Sequence, residues 1–349
     1  MRLQRFLPSQ ALVAVICLTF SLAILLSGCS ALSGDAKIGE GVVNANVLQI
    51  RSSTAMVSLN VAQAKKGDRL DILDQMEVKT PTRVVEWYKV RTKVTPLVTG
   101  WVEARSIVSE SIIDKTEKLY EDAKPIPSQG KGRLKVQTKL RVEPAGDVAT
   151  LLNRGTSVDI VGKARTTYKP EKQPSGDDSD EDVEEPETKT LVWYLVRLQD
   201  SDLIKAGWVG GQQVELDVPE DIIYLEGEGR RFTGWVVFDQ TRDKNGRLRD
   251  NYIGCMKSLE TEGPIDFTRL WVLVFSPDEG RYVGPYIEDG LRGVLPITMA
   301  RVNGYNGFTF HELDENGKPV KVEYELSRKD SSHVVVKRIT PKFYAKKKR

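Results

Sequence analysis

Histidine and cysteine are scarce in this chain, and their scarcity removes whole classes of chemistry. Two histidines, His311 and His333, and three cysteines, Cys17, Cys29 and Cys255, stand among 349 residues. Two imidazoles are thin material for a metal centre or a general base. Net charge is also nearly absent, with 51 Lys and Arg against 49 Asp and Glu. No basic patch is interleaved with aromatic residues, so nucleic acid is not an expected partner. No Gly-rich phosphate loop precedes a helix, and no cofactor is expected. What remains is an ordinary globular composition, 40% hydrophobic with 28 Gly and 16 Pro. At this length there is room for two or three domains, each able to bury a core.

Long apolar runs are missing too, with one exception. Residues Ala11 to Leu26, ALVAVICLTFSLAILL, follow a start that carries Arg2 and Arg5 and no acidic residue before Asp35. The run is shorter than the roughly 20 residues of a membrane span and has the build of a signal-peptide core. It ends in Leu26-Ser27-Gly28-Cys29. This ending resembles the bacterial lipoprotein signal, the lipobox. There the cysteine thiol takes a diacylglyceryl group as a thioether, and small residues before it let the peptidase close on the backbone. The resemblance implies cleavage between Gly28 and Cys29, acylation of Cys29, and a lipid membrane as the partner of that residue. The alternatives are an ordinary secretory signal and an uncleaved anchor. Cleavage removes two arginines and leaves 49 basic against 49 acidic residues. It also leaves Cys255 as the sole free thiol, so no intramolecular disulfide is expected. Ser30 stands where an Asp would resemble an inner-membrane retention signal. The expected location is the cell envelope, lipid-anchored, on the periplasmic face of the outer membrane if the host has two membranes.

Beyond a short polar tether the chain alternates apolar and polar residues at period two, the pattern of half-buried strands. The pattern then repeats. LLNRGTSVDIVGKAR at 151–165 matches QAKKGDRLDILDQME at 63–77, and VWYLVRL at 192–198 matches EWYKVRT at 86–92. AGWVGGQQV at 206–214 matches TGWVEARSI at 99–107. The pairs Gly67/Gly155, Trp87/Trp193, Tyr88/Tyr194 and Trp101/Trp208 align. This order resembles the bacterial SH3 domain, which has an Arg-containing first strand, a KGD turn, a WYKV strand and a closing GWV. The first strands read Leu48-Gln49-Ile50-Arg51 and Leu140-Arg141-Val142-Glu143-Pro144. Thr54 replaces the usual proline in the first copy, and Thr156 replaces the turn aspartate in the second. Gly67 and Gly155 are expected at positive φ in hairpin turns. The Trp of each WY pair is expected in the core with its Tyr facing outward. The Gly before Trp101 and Trp208 is expected to mark a bend or bulge.

The second copy carries an insertion, KPEKQPSGDDSDEDVEEPE, with eight acidic residues from Asp177 to Glu187. It has too little apolar surface to order itself and reads as a solvated hairpin tip. Loose calcium attraction is the sharper alternative, but the spaced ligand loop of a calcium site is missing. After Val218 seven strand-like segments follow, with turn signals between several of them, and Asn251 to Leu259 is the one stretch expected to form a helical turn or two. Cys255, His311 and His333 raise a cysteine-hydrolase reading, yet nothing local to Cys255 supplies a base or an electropositive setting. The closing residues, with five basic side chains from Lys342 to Arg349, read as a solvated tail, with attraction to anionic lipid or wall polymer as the alternative.

These readings converge on an all-β chain. The expected parts are a signal peptide at 1–28, a tether at 29–40, an SH3-like domain at 41–110, a linker at 111–130, and a second SH3-like domain at 131–217 with its acidic insertion at 169–190. A β-rich meander or barrel at 218–340 and a basic tail at 341–349 complete the chain. The expected function is non-catalytic binding of a cell-wall peptide or an envelope protein. Tyr88 and Tyr194 are the candidate aromatic contacts, and Arg51 and Arg141 the candidate partners of a ligand carboxylate. The competing classes are a hydrolase using Cys255 and a small-ligand carrier built on the C-terminal barrel.

Overall fold

The computed structural model describes residues 36–81, 83–169, 188–199, 203–227, 229–261, 263–330 and 333–342. The signal segment with Gly28 and Cys29, residues 170–187 of the acidic insertion and 343–349 of the tail lie outside them. The chain is all-β, as expected. It divides into two compact units between Glu110 and Ser111.

The first unit is one curled antiparallel sheet of seven strands. They are β1 (Gly39–Val43), β2 (Val47–Arg51), β3 (Asn60–Lys65), β4 (Arg69–Lys79), β5 (Val84–Thr92), β6 (Thr99–Glu103) and β7 (Ile107–Ser109). Their order across the sheet is β3-β2-β6-β5-β4-β1-β7. The curl closes around Val43, Leu48, Ile50, Leu70, Ile72, Val90 and Val102. Gly67 has φ +92° in the β3–β4 turn, a region open to glycine at little steric cost.

The second unit opens with α1 (Glu110–Ala123), a helix in the stretch expected as a linker; Glu110, its first residue, still belongs to the first unit. Seven strands follow: β8 (Gly130–Leu134), β9 (Thr138–Arg141), β10 (Val148–Leu152), β11 (Ser157–Tyr168), β12 (Lys189–Arg197), β13 (Ala206–Gly210) and β14 (Val214–Leu216). Their order is β10-β9-β13-β12-β11-β8-β14, the first sheet with every number raised by seven. The duplicated sequence is thus a duplicated topology. Gly155 repeats the positive φ at +82°. α1 lays Leu119 and Ala123 on the outer face of this sheet, against Val161, Leu195 and Trp208.

Two expectations about the repeats are corrected. Trp87 is buried, but outside the barrel core. Tyr88 shares the face of Val90 and packs against the core cluster instead of facing outward. Period two then sends Trp87 to the opposite face. The glycines before Trp101 and Trp208 mark no bulge, because β6 and β13 keep regular register with β5 and β12. Close approach is their reason. A Cβ on Gly100 would stand 2.6 Å from the Arg51 carbonyl oxygen, and one on Gly207 2.9 Å from that of Arg141.

The remaining strands are β15 (Arg230–Arg242), β16 (Leu248–Ser258), β17 (Phe267–Ser276), β18 (Arg281–Val302), β19 (Tyr305–Leu313), β20 (Pro319–Arg328) and β21 (Val334–Arg338). They pair in chain order as an antiparallel meander. Of the segment at 251–259, expected as a helical turn, all but Leu259 lies in β16. Two expected strands merge into the 22-residue β18. All seven strands contribute to one core. Its interior is filled by Phe267, Phe308, Phe310 and Tyr324, with Phe308 stacked on Tyr324 at 4.7 Å between centroids. The other face of the sheet is covered by 216–225, where the short α2 (Glu220–Ile223) buries Ile222 among Phe232, Trp235 and Tyr252.

Buried polar groups bind the second barrel to this meander. Gln129, 1% exposed, donates through Nε2 to the Ile297 carbonyl at 2.8 Å and accepts from the Ile297 N–H at 2.7 Å. Its own carbonyl accepts from the Trp235 N–H at 2.8 Å. Asp266, on the meander, pairs with Lys163 at 2.9 Å and with Arg165, both on β11, and accepts from the Leu295 N–H at 2.9 Å. A second network ties β21 down. Glu288 accepts from Tyr286 at 2.5 Å and Tyr324 at 2.9 Å, and pairs with Arg338 and Lys342. Arg338 also reaches Glu312 at 2.5 Å.

Candidate functional site

The four residues singled out for ligand contact do not form one surface. Arg51 pairs across the sheet with Trp101, and Trp101 in turn with Lys89. Residues directly opposite one another share a face. Arg51, Lys89 and Trp101 therefore lie together, with the Arg51 guanidinium 5.4 Å from the centroid of the Trp87 ring. Tyr88 is on the other face. Burial, and then the neighbouring Glu86 carboxylate, push its phenol above the ordinary range.

Arg51 is also a brace. Its Nε donates to Ser58 Oγ at 2.7 Å, and its Nη2 to the carbonyls of Ala55 and Met56 at 2.7 and 2.9 Å. These bonds satisfy the backbone of the loop at 52–59 from within. Arg141 repeats the device on a shorter loop, donating to the Gly146 carbonyl at 2.5 Å. Arg51 ends β2 and Arg141 ends β9, and each holds the loop that follows.

Tyr194 has a different setting from Tyr88. The Lys163 ammonium lies 5.7 Å from its ring centroid. Burial raises its phenol and the nearby Asp266 carboxylate raises it further, while Arg165 opposes them. Tyr194 thus belongs to the joint between the second barrel and the meander. On the face that carries Arg51 and Lys89, the half-exposed ring is Trp101. Its signal was available in the sequence: with Val90 and Val102 as barrel core, alternation puts Trp87, Lys89 and Trp101 on the opposite side.

Cys255 is fully buried in the meander core. Burial holds its thiol well above the ordinary range, Asp266 adds to this, and Lys163 only partly opposes it. A thiol kept protonated and away from solvent is a packing residue and a poor nucleophile. His311 is exposed, and His333 faces Asp330 at 2.8 Å. Among the described residues no group of three or more His, Cys, Asp and Glu is placed to hold a metal ion. Among them, too, no helix is long and apolar enough to cross a membrane.

An open cleft of about 530 Å³ lies at one rim of the meander. Phe238, Met299 and Leu326 give it apolar walls, and Asp239, Arg301 and Arg328 its charge. Arg328 and Asp239 pair across it at 2.8 Å.

No family model matches the chain, and no curated protein matches it.

Proposed function

We propose that this chain is an envelope lipoprotein, anchored through acylated Cys29, whose bacterial SH3-like repeats bind a cell-wall peptide without catalysis. The observation that carries the binding reading is the face of the first sheet where Trp101 stands beside Lys89 and Arg51. A flat indole stacks on a peptide plane, and cationic neighbours favour a carboxylate-bearing ligand. The burial of Cys255 supports a non-catalytic role.

Cosedimentation of the full chain with purified wall tests this. Wild type pellets with the wall, and Trp101→Ala weakens binding roughly tenfold, or about 1.4 kcal/mol. Tyr194→Ala changes it little, because that ring belongs to the joint. Unchanged binding by Trp101→Ala sinks the site. A wild-type chain left in the supernatant sinks the wall reading and favours an envelope protein as partner. A second reading, small-ligand carriage, draws on the rim cleft of the meander, since aromatic side chains fill the interior.

A further inference from the structure

One end of the first unit is capped by aliphatic side chains, where loop tips ordinarily carry polar turn residues. At the apex of the loop 52–59, Met56 is 95% and Val57 93% exposed, and Leu59 beside them is exposed as well. The loop 93–98 adds exposed Val94 and Leu97. The two loops share an end of the sheet, since a Cβ on Gly100 would stand 2.6 Å from the Arg51 carbonyl and 3.0 Å from Val61. β1 runs toward this end, with Gly39 opposite Ile72, Val42 opposite Arg69, and Leu70 opposite Thr92. Glu40 on β1 pairs with Lys93 at 2.6 Å, and the exposed Ile38 precedes it by two residues.

The apex is held in shape. Besides the three bonds from Arg51, the Ser52 N–H donates to the Leu59 carbonyl at 2.8 Å and the Leu59 N–H to Ser52 Oγ at 3.2 Å. A braced loop that points its aliphatic residues outward loses little conformational freedom on docking. Both segments are free of negative charge, with no Asp or Glu at 51–67 or 88–102.

We propose that this end of the first unit docks on the lipid bilayer, with Met56 and Val57 seated among the headgroups and upper acyl chains. The inference rests on the anchor reading of Cys29 given above. Gly39 lies ten positions after Cys29, a reach of at most about 35 Å when fully extended. An acylated Cys29 therefore holds the first unit within that distance of the bilayer, at a high effective concentration. A protein partner for the same patch would compete with that surface.

The test uses the full chain in vesicles of phosphatidylethanolamine and phosphatidylglycerol, with a fluorophore at Met56→Cys or at Lys66→Cys. Lys66 is exposed in the turn at the other end of β3, and Cys255 is buried and escapes labelling. Quenching by brominated lipid is expected to be at least about twofold stronger at position 56 than at 66. Equal quenching in protein that floats with the vesicles and carries lipid on Cys29 overturns this inference alone. Shielding at position 56 that appears only when envelope proteins are added overturns it in favour of a protein partner. A chain that neither floats nor carries lipid on Cys29 overturns the anchor reading and this inference with it.

Discussion

Asp266→Asn is the substitution on which the joint between the second barrel and the meander is most exposed to test. The Asp266 carboxylate is 2% exposed, Lys163 10% and Arg165 21%, so the group sits largely away from solvent. Asn preserves the volume, and no cavity is made. It retains one carbonyl oxygen, which can serve the Leu295 N–H or the cations but not both. It removes the charge that compensates two buried cations. Breaking a buried pair by removing one partner destabilises by about 3–5 kcal/mol, because the remaining charge stays desolvated. Arg165 is partly exposed and relaxes towards water, so the lower half of that range is expected. For a unit of this size the loss corresponds to a fall in Tm of roughly 6–16 °C, at about 2–4 °C per kcal/mol.

Urea unfolding followed by tryptophan emission is the assay, since Trp193 and Trp208 report the barrel and Trp235 and Trp271 the meander. The variant is expected to shift the midpoint and to separate the two components. Asp266→Asn combined with Lys163→Met is expected to recover part of the loss, because it removes an uncompensated charge along with its partner. A loss below about 1 kcal/mol for the single variant, with the components still coincident, would refute the argument that this carboxylate holds the joint together.

Two further outcomes follow from buried titratable groups. Burial raises the Glu288 carboxyl, but hydrogen bonds from Lys342, Tyr286 and Tyr324 and the charge of Arg338 outweigh it, and the group lies below its usual 4.5. A depressed carboxyl contributes stability above its unfolded pKa and loses it as pH falls through the folded one. Wild type is therefore expected to lose Tm steeply below about pH 4.5, and Glu288→Gln to show a flatter profile from a lower plateau; parallel profiles would count against it. Cys255 is expected to resist a thiol reagent in the native protein and to react once urea unfolds it. Rapid native labelling would contradict its burial and reopen the hydrolase reading.

The fold class and the duplication were legible because both rest on local pattern. Period-two alternation marks strands wherever they pair, and Gly67 and Gly155 recur because a left-handed turn tolerates little else. What the pattern hid was non-local. The helix at 110–123 has few apolar residues of its own, and Leu119 and Ala123 acquire a partner only when β11, β12 and β13 are assembled. The continuous β18 was hidden at Gly290, which fell between two expected strands. Gly284 and Gly293 make room for rings: a Cβ at Gly284 would meet the Trp271 indole and one at Gly293 the Phe267 ring. The facing of Tyr88 was recoverable, but only by fixing the core residues Val90 and Val102 before the aromatic pair.

The two copies of the sheet diverge at positions that fit the second to the meander. The repeat aligns Lys163 and Arg165 with Gln75 and Glu77, and the strand pairing agrees, since Gln75 lies opposite Tyr88 and Lys163 opposite Tyr194. In the first copy both residues are exposed, and Gln75 bonds Glu86 at 2.8 Å. In the second, both are cations aimed at Asp266. A negative charge in place of Arg165 would repel Asp266, so the first copy is unsuited by charge, whatever its shape, to the joint the second makes. The aromatic of this face was drawn with it: Tyr88 remains at the edge of a barrel core, while Tyr194 lies under Lys163. Duplication thus supplied two equivalent sheets, and two residues on one strand made the second a foundation.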